Sequence, residues 1–169
     1  MRTPAAIVLA LVVLALQLAC TDTTCNENRS SLPLMRFYNV DAVTRKATSA
    51  TINVWVEGVG VPGDSMICNN TACSEVYVPL RVTTRSTQYA LWRYHVSADG
   101  DSTLLRDTIT FNYEPVPYYS SRECGAMYNF DMSTVTTTHH GIDSVALVQP
   151  VVTNELRESL RVYLTPQAD

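Results

Sequence analysis

Thr108-Ile109-Thr110-Phe111-Asn112-Tyr113 puts a large apolar residue at every second position and a hydroxyl or amide residue between each. Side chains of an extended chain point alternately to opposite faces, so this hexapeptide reads as a half-buried β-strand. A helix would instead repeat its apolar positions every third or fourth residue. The same alternation recurs on both sides of it. Ile52, Val54 and Val56 alternate with Asn53, Trp55 and Glu57, and Val76, Val78, Leu80 and Val82 with Tyr77, Pro79 and Arg81. Tyr128, Phe130 and Met132 alternate with Asn129 and Asp131, and Leu160, Val162 and Leu164 with Arg161 and Tyr163. Residues 34–38, 88–96 and 142–148 read as further strands. The 88–96 run is apolar on both faces through Tyr89, Leu91, Trp92 and Tyr94, which suits a central strand.

Turn signals separate these runs: Pro62-Gly63-Asp64, Ala98-Asp99-Gly100-Asp101 and His140-Gly141. Gly58-Val59-Gly60 also reads as a turn. No window of ten residues carries a clean helical period; residues 154–160 come nearest, with a turn or two. About seven to eight strands with frequent turns predict an all-β chain, an antiparallel β-sandwich, with a small β-barrel as the alternative. Proline cannot donate to a ladder, so Pro79 is expected on an edge strand or at a bulge.

The N-terminus has a different character. Arg2 precedes an apolar run from Ala5 to Leu16, and Thr21, Asp22, Thr23 and Thr24 follow at once. The run is shorter than the roughly 20 residues a membrane-spanning helix needs, so it reads as a cleaved export signal. Gln17-Leu18-Ala19-Cys20 resembles a bacterial lipobox, with Ala19 before the cut and Cys20 as the acylated first residue. Gln17 stands where that motif has an aliphatic residue. The alternative is an ordinary secreted protein with a spare thiol at Cys20. The expected organisation is a signal peptide at 1–19, a polar tether at 20–31 and one β domain at 32–169.

Five cysteines are present: Cys20, Cys25, Cys68, Cys73 and Cys124. Acylation of Cys20 removes the odd thiol and leaves two disulfides, which exported compartments permit. Three pairings are open, and the favoured one is Cys68 with Cys73 and Cys25 with Cys124. The first closes Asn69-Asn70-Thr71-Ala72, which looks like a turn between strands. The second closes a loop of ~100 residues, worth about 4.7 kcal/mol by loop entropy. No Cys-x-x-Cys occurs, so zinc is not expected.

Cleavage before Cys20 leaves 11 basic against 16 acidic residues, a net charge of −5. That excludes a nucleic-acid partner, whose backbone needs a basic surface, and attachment to anionic lipid by charge. The expected membrane link is the acyl group. Phosphate loops and Gly-x-Ser-x-Gly elbows are absent, so neither cofactor nor catalytic residues are predicted. His95 is the one strand-borne candidate base, and His139-His140 read as a polar hairpin end rather than a metal site. Glu114 and Asp131, at plausible strand ends, are the candidate pair for a carboxylate-based hydrolase. Tyr118-Tyr119, following Pro115 and Pro117 in an expected loop, are the candidate binding patch. Asp107-Thr108-Ile109 and Asp143-Ser144-Val145 look like bacterial O-glycan acceptor triplets.

Cys25 close behind Cys20, Pro79-Leu80, Tyr113 with Pro115, Cys124-Gly125 and His140-Gly-Ile-Asp-Ser-Val145 together resemble a family of small uncharacterised cell-envelope lipoproteins from Bacteroidetes-type bacteria. The resemblance covers most of the chain after residue 19. It implies an envelope lipoprotein facing the periplasm from the outer membrane, or displayed on the cell surface, and supplies no catalytic residue. The expected function is an anchored, non-catalytic binding or structural module, with an envelope protein or a glycan as partner in the binding case; the alternative is the carboxylate-based hydrolase.

Overall fold

The computed structural model describes residues 31–61, 66–97 and 99–166. The expected signal peptide, Cys20, Cys25 and the tether up to Arg29 and Ser30 lie outside the described residues. Ser31, the tether's last residue, is buried and donates to Asn129 at 3.3 Å.

The described residues form eleven strands and no helix: β1 Leu34–Val40, β2 Ala47–Ser49, β3 Ile52–Gly58, β4 Met66–Cys73, β5 Glu75–Tyr77, β6 Ser86–Val96, β7 Ser102–Ser121, β8 Gly125–Thr137, β9 Ile142–Leu147, β10 Val151–Val152 and β11 Glu158–Leu164. They make two sheets. One runs β10-β8-β7-β6-β3-β4; the other runs β2-β1-β11-β9, with β5 also paired to β1. The fold is therefore a two-sheet β-sandwich, and the periodicity predicts its class. The expected all-antiparallel pairing has one exception: β1 and β11 run parallel, with Phe37 opposite Val162. A connection spanning most of the domain separates these two strands, and that length permits a parallel neighbour where a hairpin would not.

Inward residues of both sheets fill one core. Met35, Phe37, Leu160 and Val162 come from one sheet, and Val54, Leu91, Ile109 and Phe111 from the other, each at most 1 % exposed. At one end Tyr113 closes this core. Its hydroxyl meets Thr87 Oγ1 at 2.5 Å, accepts from the Arg81 N–H at 3.0 Å and donates to the Arg81 carbonyl at 2.9 Å. Tyr113→Phe leaves the buried Thr87 hydroxyl without this partner. We expect it to lower stability by about 1–3 kcal/mol, read as a shift of the urea midpoint; an unchanged midpoint would show that the clamp carries no stability.

Four local expectations are corrected. The 76–82 alternation forms a strand only over β5, and Pro79 lies two residues beyond it. Val78 donates to the Pro33 carbonyl and Tyr89 donates to the Pro79 carbonyl, so this stretch closes the sandwich instead of extending a sheet. The 69–72 segment is not a turn between strands but lies within β4. Asn70, at φ +49°, is a bulge between Thr71 opposite Val54 and Asn69 opposite Trp55. The bulged strand brings the Cα atoms of Cys68 and Cys73 to 7.5 Å, and the two are disulfide-bonded. Residues 154–160 hold no helix turn, because Glu158 to Leu160 open β11. The fourth correction concerns Tyr118-Tyr119, which are paired in β7 opposite Met127 and Ala126, not in a loop. Among the described residues β6 pairs with β7 only as far as Asn112, and beyond it the β7–β8 ribbon has no described strand on the β7 side, where Pro115 and Pro117 are tolerated.

Candidate functional site

The outward face of the six-stranded sheet carries a group of aromatic residues that the core does not use. Val54 and Val56 point inward from β3, so Trp55 points outward; Tyr89 and Leu91 point inward from β6, so Trp92 and Tyr94 point outward. The register sets Trp55 directly opposite Trp92, and Trp92 opposite Arg106 of β7. The indoles stack nearly parallel, 6.2 Å apart at 11°. Arg106 lies 5.1 Å from the Trp92 ring, and Tyr94 meets Trp55 edge-on at 5.7 Å. Tyr94 and its cross-strand neighbour Leu104 are each about half exposed. Cross-strand aromatic pairs stabilise a sheet by a few tenths of a kcal/mol to about 1 kcal/mol. Holding two indoles and a phenol at the solvent face also creates a rigid surface of the composition found at recognition sites.

Beside this face the sheet splits. β3 and β6 are paired from Gly58 opposite Tyr89 to Trp55 opposite Trp92, and there their pairing ends. Both strands continue, β3 on β4 and β6 on β7. The strands splay around a cavity of about 440 Å³ lined by Thr51, Ile52, Asn53, Asn70, Arg93 and Tyr94. Arg93 sits on the inward side of β6 and is only 3 % exposed. Its Nη2 donates to the carbonyls of Gly141 at 3.2 Å and Thr165 at 3.1 Å. Among the described residues its Nε has no hydrogen-bond partner, and neither does His95 Nδ1 two residues along the same strand. Burial pushes the Arg93 guanidinium below its ordinary value, and the charge of Asp107 opposes that shift.

Asp107 is the matching buried acid, 1 % exposed, on the inward side of β7. Its Oδ1 accepts from the Thr138 hydroxyl at 2.7 Å, the His140 N–H at 2.8 Å and His140 Nδ1 at 3.2 Å. Its Oδ2 accepts from the Gly141 N–H at 2.6 Å and the Ile142 N–H at 3.0 Å. Burial works to raise this carboxyl, yet the hydrogen bonds from His140, Thr138 and Gly141 hold it below the usual carboxylate range. A Cβ added at Gly141 would come within 3.1 Å of the Leu105 Cβ, so the close approach favours glycine. Asp107 thus folds the β8–β9 connection over the end of the sandwich. His139 takes part separately: its Nδ1 donates to the Asp143 carbonyl at 2.9 Å.

Of the residues singled out in the sequence, Glu114 and Asp131 come together as direct cross-strand neighbours of β7 and β8. They border an open cleft of about 600 Å³ with Arg85, Asn112, Tyr113, Met132 and Ser133. Both are exposed, and Arg85 holds Glu114 through two contacts at 2.8 and 3.1 Å. Tyr119 is 69 % exposed, whereas Tyr118 is half-buried with its hydroxyl 3.7 Å from Met127 Sδ. The pair does not join the Trp55–Trp92 group. Thr108 and Ser144 of the O-glycan triplets lie within β7 and β9. Cys124 is disulfide-bonded; the expected partner, Cys25, lies outside the described residues. Among the described residues no three His, Cys, Asp or Glu side chains gather as metal ligands.

Sequence reasoning passed over the aromatic face and the buried Arg93 and Asp107. The signal was phase: Asp107 falls in step with Ile109 and Phe111, and Arg93 in step with Tyr89 and Leu91.

No curated protein and no solved structure matches this chain. The model of a family of unknown function, DUF6452, matches residues 51–164, from the strand that carries Trp55 to the last residue of β11. The match covers more than half of the chain, which therefore belongs to that family.

Proposed function

We propose that this member of DUF6452 is an exported lipoprotein, acylated at Cys20, whose β-sandwich binds a partner through the outward aromatic face and performs no chemistry. The observation that carries the binding reading is the Trp55–Trp92–Tyr94 group, fixed by cross-strand register outside the core. The sequence supports the anchor, with its short apolar leader ending at Ala19-Cys20. Oxidised Cys68, Cys73 and Cys124 favour a compartment outside the reducing cytoplasm. With Cys20 acylated, Cys25 is the remaining cysteine for Cys124, which ties the start of the domain to the β7–β8 hairpin. We place the protein on the outer membrane facing the periplasm, with surface display as the alternative.

Two variants test the two halves of this reading. The intact mass of the membrane-extracted protein is expected to begin at Cys20 and carry acyl groups, with four thiols appearing only on reduction. Cys20→Ser is expected to lose the acyl mass and leave the membrane fraction; retention in membranes would sink the anchor. Trp92→Ala is expected to reduce capture of crosslinked envelope partners at least tenfold while the protein stays folded. Unchanged capture would remove the aromatic face from the function.

A second reading has one observation in its favour. The Glu114–Asp131 pair borders an open cleft, as two carboxylates of a glycoside hydrolase would. Hydrolysis of a glycan that disappears in both Glu114→Gln and Asp131→Asn would establish it over the binding module.

A further inference from the structure

We propose that the end of the β7–β8 hairpin rests in the interface of the membrane that holds the acyl anchor, with Pro117, Tyr119, Ala126 and Tyr128 as the face that meets the lipid. This deepens the anchor reading above and rests on it. Three observations converge. First, the four residues share one face of the ribbon. Tyr119 stands opposite Ala126 and Pro117 opposite Tyr128, and successive side chains of a strand alternate between faces. All four are exposed, whereas the intervening Tyr118 is half-buried and Met127, its cross-strand neighbour, is buried. Second, this face carries no charge. Tyrosine concentrates at membrane–water interfaces because its ring is apolar while its hydroxyl stays wet. Third, Cys124 lies in the turn of the same hairpin and is disulfide-bonded. Cys68 and Cys73 are bonded to each other, so of the five cysteines only Cys20 and Cys25 are left as its partner. With Cys20 acylated the partner is Cys25, five residues from the lipid. Five residues span at most about 18 Å, which keeps the acyl chains beside the end of the hairpin. The hydrogen bond from Ser31 to Asn129 holds the chain beyond Cys25 against β8, next to Tyr128.

The backbone of this stretch suits lipid as well. Pro115 and Pro117 remove two N–H donors from the side of the ribbon that no described strand covers. Unpaired donors are costly near hydrocarbon, where water cannot satisfy them. The acidic chain is not drawn to anionic headgroups, so an uncharged aromatic face is the contact open to it. The Trp55–Trp92–Tyr94 surface belongs to the opposite end of β7, where Leu104 faces Tyr94. From Leu104 to Tyr119 the strand covers about 50 Å at ~3.3 Å per residue. A hairpin seated in the interface therefore turns the partner surface away from the bilayer.

The test uses the acylated, membrane-extracted protein in phosphatidylcholine vesicles, with and without bromine on the lipid acyl chains. Bromine quenches tryptophan only at close contact. Trp55 and Trp92, the chain's two tryptophans, are expected to keep their emission. Tyr119→Trp adds a third, and at least half of the added emission is expected to be quenched. Tyr128→Glu in that background sets a carboxylate on the face and is expected to reduce the quenching at least twofold. Both positions are exposed, so the melts of both variants should match wild type. Quenching that Tyr128→Glu leaves unchanged would mean that the anchor alone brings the turn near lipid, and the face would fall as a contact. Quenching of Trp55 and Trp92 in the wild type would put the opposite end of β7 at the membrane and overturn the orientation. An unquenched Tyr119→Trp in protein of full acyl mass would overturn the hairpin contact and leave the anchor standing. If Tyr119 then crosslinks to an envelope protein or to a second copy of this chain, the face belongs to that partner and not to lipid. Absence of the acyl mass would end the anchor, and this inference with it.

Discussion

Asp107→Ala is expected to lower the stability of the folded chain by about 2–6 kcal/mol, at ~1–3 kcal/mol for each of the buried Gly141 and Ile142 N–H groups left without an acceptor. Folded domains have only about 5–15 kcal/mol to lose, so much of the variant should be unfolded at modest urea. The loss has two sources. The N–H groups of His140, Gly141 and Ile142 lose their acceptor together, and Arg93 keeps its buried charge without the opposing one. Asp107→Asn keeps the shape and one acceptor oxygen but brings an amide N–H₂ towards existing donors, so it should fall between wild type and Asp107→Ala. The pH dependence follows from the depressed carboxyl. A folded-state value below the unfolded one makes the contribution complete above the unfolded value of about 3.9. It is lost as pH falls through the folded value. Urea midpoints of wild type and Asp107→Asn should therefore differ by a constant amount from about pH 5 upward and converge in stronger acid. Identical midpoints at pH 7 would mean that the carboxylate does not hold the β8–β9 connection.

Phe111→Ala is the second large effect, about 3–5 kcal/mol from lost transfer energy and the cavity left behind. Phe111 is 0 % exposed, faces Tyr89 edge-on at 6.0 Å and lies on β7, which has a neighbour on each side there. Flanked in this way, the backbone has little freedom to collapse into the gap. The melting temperature should drop by roughly 10–20 °C. Tyr119→Ala, on the same strand but 69 % exposed, should move stability by no more than about 0.5 kcal/mol. Equal effects at the two positions would mean that the assignment of inward and outward faces along β7 is wrong.

The periodicity at Ile109, Phe111 and Tyr113 was legible because a half-buried strand imposes a two-residue repeat, and every long strand with such a repeat was found. β4 escaped notice because Cys68-Asn69-Asn70-Thr71-Ala72-Cys73 has no repeat. Its bulge breaks the phase, and two asparagines there look like a turn. The far half of β7 escaped because Pro115 and Pro117 normally interrupt a ladder, and only the missing β6 neighbour makes them acceptable. The 88–96 run is legible as central from its two apolar faces, but the alternation alone does not say what the second face packs against. That face is the Trp92–Tyr94 surface, and recognising it required the register that brings Trp55 alongside. The cavity between β3 and β6 was hidden from sequence for a related reason. Asn53, Asn70 and Arg93 share no motif, and only the point where two strands stop pairing brings them together.

The parallel pairing of β1 with β11 bears on when the domain is able to fold. Leu34 must wait for Glu158, more than a hundred residues later, before the inner seam of its sheet exists. Contacts so distant in sequence are made late and slowly. A chain delivered from its N-terminus, by a ribosome or through a translocation pore, would hold β1 without its inner neighbour until nearly the whole domain had emerged. That delay keeps the polypeptide threadable, and it leaves Met35 and Phe37 uncovered meanwhile, surfaces that a holding chaperone would have to shield.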